Sequence, residues 1–204
     1  MNNRKGTLFV ISGPSGTGKG TVIKSLLENH KDDVFLSISA TTRAPREGEF
    51  DGTHYYFKSK DEFKDMISND GFLEWACFCD NYYGTPKKTV NDMLDKGIDV
   101  LLEIEIQGAM KIKDNDIGAK FIFILPPSYD ELRRRIEGRK TETADVIEKR
   151  MQTARDELPF AEKYDYIVMN DTVENAVGSI EAIINAERCR VDKNIKLIKE
   201  VQRV

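Results

Sequence analysis

Apolar residues follow two rhythms along this chain. Leu8-Phe9-Val10-Ile11 and Phe121-Ile122-Phe123-Ile124-Leu125 are unbroken apolar runs, and Asp99-Val100-Leu101-Leu102-Glu103-Ile104-Glu105-Ile106 begins as one. Such runs predict strands covered on both faces, as in a parallel sheet. Phe35 to Ser39 and Tyr166-Ile167-Val168-Met169 predict two more strands. Between them apolar positions recur at helical spacing: Val22, Ile23, Leu26 and Leu27, then Val173, Ala176, Val177, Ile180 and Ile184. Strands alternating with helices indicate an open α/β sheet.

Residues 38–90 break the alternation with short strands rich in tyrosine and phenylalanine, which predicts an inserted mixed α/β subdomain. Residues 40–49 read as a loop, Tyr55-Tyr56-Phe57 as a strand, and Ser59 with Glu62 as a capping box opening a helix with Phe63, Met66 and Ile67 inward. Phe72 to Phe78 reads as a strand and Asn81-Tyr82-Tyr83-Gly84 as a turn. Thr85-Pro86 predicts a helix N-cap, with Gly97 ending that helix. Ser128 and Glu131 predict a second capping box, and a polar stretch at 140–143 leads into a long helix with Arg150 and Arg155.

The first strand runs into Gly13-Pro14-Ser15-Gly16-Thr17-Gly18-Lys19-Gly20-Thr21 and then a helix. Strand, glycine-rich turn and helix are the context of a phosphate-cradling loop: glycines turn successive N–H groups toward one centre, and the helix N-terminus adds partial positive charge. Lys19 supplies a full charge to the β- and γ-phosphates of a nucleotide. Gly20 stands where a hydroxyl usually meets magnesium, so that hydroxyl is missing or displaced to Thr21, and the metal is expected to rest on phosphate oxygens and water.

Composition narrows the picture. The 204 residues are 40% apolar and 32% charged, which suits a globular chain with a buried core. A net charge of -4 argues against general nucleic-acid binding, and no apolar stretch has the length of a membrane span or the form of a signal peptide. Cys77, Cys79 and Cys189 predict reduced structural thiols in a reducing, cytoplasmic setting, and His30 and His54 are expected to face water. Oligomeric state stays open between monomer and homo-oligomer.

Further groups carry candidate chemistry. Arg43 and Arg46 on one loop can converge on a phosphate, with Tyr55 and Tyr83 adding hydroxyls, although a solvated basic loop has the same pattern. Glu74 with Ser39, Thr85 and Glu105 matches guanine's pairing edge, since a carboxylate meets its two adjacent donors and a hydroxyl its carbonyl. An exposed strand carboxylate is the alternative at Glu74, and a surface charge at Glu105. Glu103, at a strand's C-terminal end, can hold magnesium through water. Arg135, Arg139, Arg150 and Arg155 suit a lid that brings positive charge onto a phosphoryl group, or else helix-surface ion pairs.

In this order Ser12 to Lys19, Ser39 to Glu49, Leu73-Glu74-Trp75-Ala76, Asn81 to Thr85, Leu102 to Gly108, Glu137 to Thr143 and Asn170-Asp171 resemble the bacterial guanylate kinase family over nearly the whole chain. The resemblance implies a phosphate-loop kinase fold: a core of residues 1–37, 91–134 and 158–204, a GMP-binding subdomain at 38–90 and a helical lid at 135–157. It implies transfer of the γ-phosphoryl group of ATP to GMP or dGMP, with Mg2+, in purine nucleotide metabolism. Ser39, Glu74, Thr85 and Glu105 would read guanine, while Arg43, Arg46, Tyr55 and Tyr83 would hold the GMP phosphate. Lys19, Arg43, Arg135, Arg139 and Arg150 would act on the transferring group, and Asn170 would lie near the adenine of ATP. Gly20 in place of serine and Lys140 in place of glycine depart from the family pattern. Another nucleoside monophosphate kinase, a non-catalytic kinase-like binding module and a GTPase switch are the rival readings.

Overall fold

The computed structural model describes residues 4–138 and 143–202. In chain order its elements are β1 (Leu8–Ser12), α1 (Lys19–Asn29), β2 (Val34–Leu36), β3 (Ala40–Thr41), β4 (Tyr56–Phe57), α2 (Lys60–Ser68), β5 (Phe72–Phe78), β6 (Asn81–Pro86) and α3 (Lys87–Asp95). These are followed by β7 (Asp99–Glu103), α4 (Ile106–Asp114), β8 (Lys120–Leu125), α5 (Tyr129–Glu137), α6 (Ala144–Glu157), a 3-10 helix (Leu158–Lys163), β9 (Tyr166–Met169), α7 (Val173–Arg188) and α8 (Val191–Val201).

The apolar runs form the predicted parallel sheet, in the order β2-β7-β1-β8-β9. Alternate residues of β1 face opposite sides. Phe9 and Ile11 enter one core with α1 and α7, while Leu8 and Val10 enter another with α3 and α4. Burial on both faces is why the strands read as unbroken apolar runs. A buried ion network closes the N-terminal edge of the sheet. Asp99 accepts from Arg4 at 2.9 Å, from the Thr7 amide at 2.7 Å and from Arg188 at 2.7 Å. Burial alone would push its carboxyl up, but those donors hold it below the usual value.

The second sheet, β4-β3-β6-β5, is mixed: β3 pairs parallel with β4 and antiparallel with β6. Its core is small, with Ala40, Phe63 and Phe72 buried and Met66 and Ile67 against them. The capping box at Ser59 and Glu62 forms in both directions. The one at Ser128 forms in one direction only, because the Glu131 carboxylate turns instead to Arg134 and Arg135.

Several expectations are corrected. Ala40–Thr41, within the predicted loop, is strand β3. Asn81 to Gly84 is the start of β6, and the turn falls on Cys79 and Asp80, both at positive φ (46° and 59°). Thr85 is a buried strand residue rather than an N-cap; Pro86 flanks the helix, which begins at Lys87. The third apolar run ends as a strand at Glu103, and Ile106 already belongs to α4. All three cysteines are free but exposed, not buried. His30 is held between Asp33 (3.2 Å) and Glu181 (3.1 Å) instead of facing open water.

Candidate active site

β1 ends at the C-terminal edge of the sheet, and the chain turns there through the glycine loop. Gly13 has φ +152°, and a Cβ on it would sit 2.3 Å from the Ile124 carbonyl oxygen, so only glycine lets the loop pass β8 so closely. Gly18 caps α1 in the left-handed region with φ 86°. Lys19 curls back, its Nζ donating to Gly13 O at 2.6 Å and Pro14 O at 3.0 Å. Ser15, Gly16, Gly18, Lys19, Gly20 and Thr21 line a cavity of about 430 Å³ with Glu103 opposite.

The loop's backbone is braced by Asn170 and Arg135. The Asn170 side-chain amide, in a buried residue, donates to Thr17 O at 2.7 Å, and Arg135 donates to Asn170 O at 2.9 Å and Thr17 O at 3.3 Å. Asn170 and Arg135 therefore sit against the loop's backbone. Arg150, on α6, donates to Ser15 Oγ at 2.7 Å, which ties that helix to the loop's front. Arg155 lies over the Tyr129 ring, 4.8 Å from its centroid. Arg139 and Lys140 lie outside the described residues.

Beside the loop, between the two sheets, is a second cavity of about 270 Å³. Ser39, Tyr55, Glu74, Tyr83, Glu103 and Glu105 all line it. Thr85 stands behind Glu74, its hydroxyl donating to Oε1 at 2.8 Å. Burial pushes the Glu74 carboxyl above the usual carboxylate value, and the Thr85 hydroxyl and the charge of Lys111 pull part of that back. Glu103 is likewise raised by burial and drawn back by Lys19. It lines both cavities, so the two adjoin at this residue. Glu103 and Glu105 share this cavity but not a strand: Glu103 ends β7 and Glu105 caps α4.

Arg43 stacks 5.4 Å from the Tyr55 ring centroid and donates to Glu49 Oε1 at 2.9 Å. The other Glu49 oxygen takes the Arg46 amide at 2.8 Å. The Arg43 bond, then the Arg46 amide, hold the Glu49 carboxyl down at about 2. Glu49 thus organises the loop that carries both arginines; the Arg46 side chain is exposed, and neither arginine lines the acidic cavity.

Sequence reasoning assigned no site role to Ala76, Gln107 and Gly108, although they fall in the resembling motifs, nor to Phe78 and Lys111; all five also line the acidic cavity. A signal existed: strand alternation from Glu74 gives residues 76 and 78, and helical spacing from Glu105 gives residue 108 and then Lys111.

A phosphate loop at the end of a parallel sheet, beside an acidic cavity that shares Glu103 with it, defines a phosphate-loop kinase fold. Comparison with known proteins makes this specific. The guanylate kinase family model matches residues 5–187. The guanylate kinase of Caldanaerobacter subterraneus subsp. tengcongensis is 56% identical over 199 residues, covering 98% of this chain and 96% of that protein. That of Clostridium perfringens (strain SM101 / Type A) is 56% identical over 191 residues, 94% of this chain and 88% of that one. The crystal structure of guanylate kinase from Anaplasma phagocytophilum superposes with a TM-score of 0.72 at 36% identity, covering 93% and 90% of the two chains. The chain belongs to the guanylate kinase family.

Proposed function

We infer that this chain transfers the γ-phosphoryl group of ATP to GMP, giving ADP and GDP. The observation that carries this reading is the meeting of the phosphate-loop cavity and the Glu74 cavity at Glu103. Transfer needs donor and acceptor phosphates in line, and adjoining cavities supply that arrangement. Glu74, oriented by Thr85, would accept from the adjacent N–H donors of guanine, with Ser39 and Glu105 completing the base contacts. Adenine presents the opposite pattern to a carboxylate. Arg43, Arg46, Tyr55 and Tyr83 would hold the acceptor phosphate, and dGMP would be accepted as well.

The acceptor phosphate, with a second pKa of about 6, is already mostly a dianion near pH 7, so it is its own nucleophile and needs no general base. Lys19 would leave its loop carbonyls for the donor's β- and γ-phosphates. Residues 13–18, 20 and 21 would wrap the phosphates, and Arg135, Arg139 and Arg150 would meet charge that develops on the transferring group. Asn170 would keep the loop in shape beside the ATP base.

The residues present fit a hard divalent cation. The donor set is carboxylate and phosphate oxygen, and a Cβ at Gly20 would lie 3.8 Å from Glu103 Oε1. Glu103 would hold Mg2+ through water, and the ion would supply charge neutralisation to the phosphates of ATP. Residues 135–157 would act as the lid, 38–90 as the acceptor subdomain, and 1–37, 91–134 and 158–204 as the core. Three free cysteines suit a reducing, cytoplasmic compartment.

A coupled assay across GMP, dGMP, AMP and UMP tests the reading. GMP turnover is expected to dominate, and substantial AMP turnover would overturn the role given to Glu74.

A further inference from the structure

The acceptor cavity is lined by the carboxylates of Glu74, Glu103 and Glu105, and among the described residues Lys111 is the cation that lines it with them. Lys111 belongs to α4 in the core, whereas Glu74 belongs to β5 in the second sheet. The lysine Nζ donates to the backbone oxygen of Trp75 at 2.7 Å and stands 5.9 Å from that residue's ring centroid. It therefore grips β5 at the residue next to Glu74. One turn earlier on the same helix face, Gly108 approaches so closely that a Cβ there would lie 3.2 Å from Glu74 Oε2. One face of α4 thus brings bare backbone close to the carboxylate and an ammonium group into the same cavity, while Thr85 holds the other carboxylate oxygen from β6.

We propose that Lys111 is a positioning residue for the acceptor base: it ties β5 to α4 beside Glu74 and brings positive charge into the cavity that holds the Glu74 carboxylate, so purine selectivity depends on a side chain that need not touch the purine. The proposal rests on the reading of Glu74 given above. A protonated Glu74 would present a donor to the donors of guanine, so selectivity requires its charged form. Burial works against that form first, and the nearby Glu105 charge adds to it; the Thr85 hydroxyl and Lys111 work for it. Glu103 and the phenols of Tyr55 and Tyr83 share the cavity, and Asp70 and Asp114 share a shallow outer pocket with Glu74 and Lys111. Loss of Lys111 thus leaves Glu74 with the Thr85 hydroxyl but without the cation that shares its cavity.

The test uses the full chain with Lys111→Met, Lys111→Gln and Lys111→Arg. Gln keeps a donor for the Trp75 carbonyl without the charge, so it separates grip from charge and serves if Met fails to fold. The Glu74 carboxyl is titrated by carbon NMR without ligand, and kcat and KM for GMP are measured across pH. In Met and Gln the Glu74 midpoint is expected to move to higher pH and KM at mildly acid pH to rise on the order of tenfold, with kcat nearly unchanged. Arg is expected to restore both. An unmoved midpoint in Met and Gln overturns the proposal, as does a KM defect that Arg does not relieve. A parallel Glu74→Gln variant separates the two levels. If it keeps the parent's preference for GMP over AMP, the underlying reading falls and this one with it. If it loses that preference while the Lys111 variants keep the parent's midpoint, the role of Lys111 alone falls.

Discussion

The two cavities are built differently. The donor side is nine consecutive residues, 13–21, whose backbone is fixed by a buried parallel sheet and braced by Asn170 and Arg135. The proposed acceptor side is assembled from side chains far apart in the chain: positions 39, 55, 74 and 83 lie in or beside a sheet whose own buried apolar core is Ala40, Phe63 and Phe72, and Glu105 comes from the start of α4. A site made of local backbone is as rigid as the core beneath it. A site made of distant side chains is only as well placed as the contacts joining two sheets, and few buried contacts mean easier local opening. On the proposed reading, rigidity would sit where the donor phosphates are held, and adaptability where the acceptor enters and is checked.

The sharpest way to break this contrast is at Lys19. Lys19→Met is expected to lower kcat by about 10³-fold or more while leaving thermal unfolding close to the parent's, because in the proposed role the residue would act on phosphates rather than on packing. A variant that keeps most of the parent's rate would end the assignment of the donor side.

Phe63→Ala probes the other half. Phe63 is fully buried and stacks on Phe72 with centroids 4.3 Å apart, so its removal should cost about 3–5 kcal/mol. Hydrogen exchange should then quicken across β3, β5 and β6 while amides of β1 and β8 keep their protection. Equal loss in both sheets would show that the small sheet does not open independently.

Glu74→Gln should be milder still, lowering kcat/KM for GMP about 10²-fold and narrowing the gap to AMP. Turnover of GMP at the parent's efficiency would count against the acid slot as the selecting element.

The smallest effect concerns pH and the Arg43 loop. The Glu49 carboxyl sits at about 2 in the fold against an ordinary 4.5. Its folded value is depressed, so its contribution is complete above pH 4.5 and fades as pH falls toward 2. The Arg46 amide, which donates to Glu49, should therefore hold its chemical shift down through pH 4.5 and move only well below it. A midpoint at the ordinary carboxylate value would show that the Arg43 clamp is not formed in solution.

Much of the core was legible in the chain because its strands are buried on both faces and its helices carry one apolar stripe: β1, β7, β8 and α7 differ from expectation by a few residues at their ends. The acceptor sheet was less legible. Asn81 to Gly84 has the composition of a turn, yet pairing with β3 and β5 makes it a strand, and the turn settles on Cys79 and Asp80. Thr85 has the look of a helix cap, yet it is buried under Glu74. Local propensity favoured the wrong element in both cases because long-range pairing outweighs it.

By itself the sequence determined the alternation of strands and helices, the phosphate loop and the residue types that suit a guanine edge, since each depends on near neighbours along the chain. Only the tertiary structure decided that Glu103 stands between two cavities, that Thr85 turns its hydroxyl inward and that Lys111 reaches across from α4 to β5. Those facts depend on which elements pack together, and a charge's surroundings in a fold are set by neighbours in space that no local pattern names.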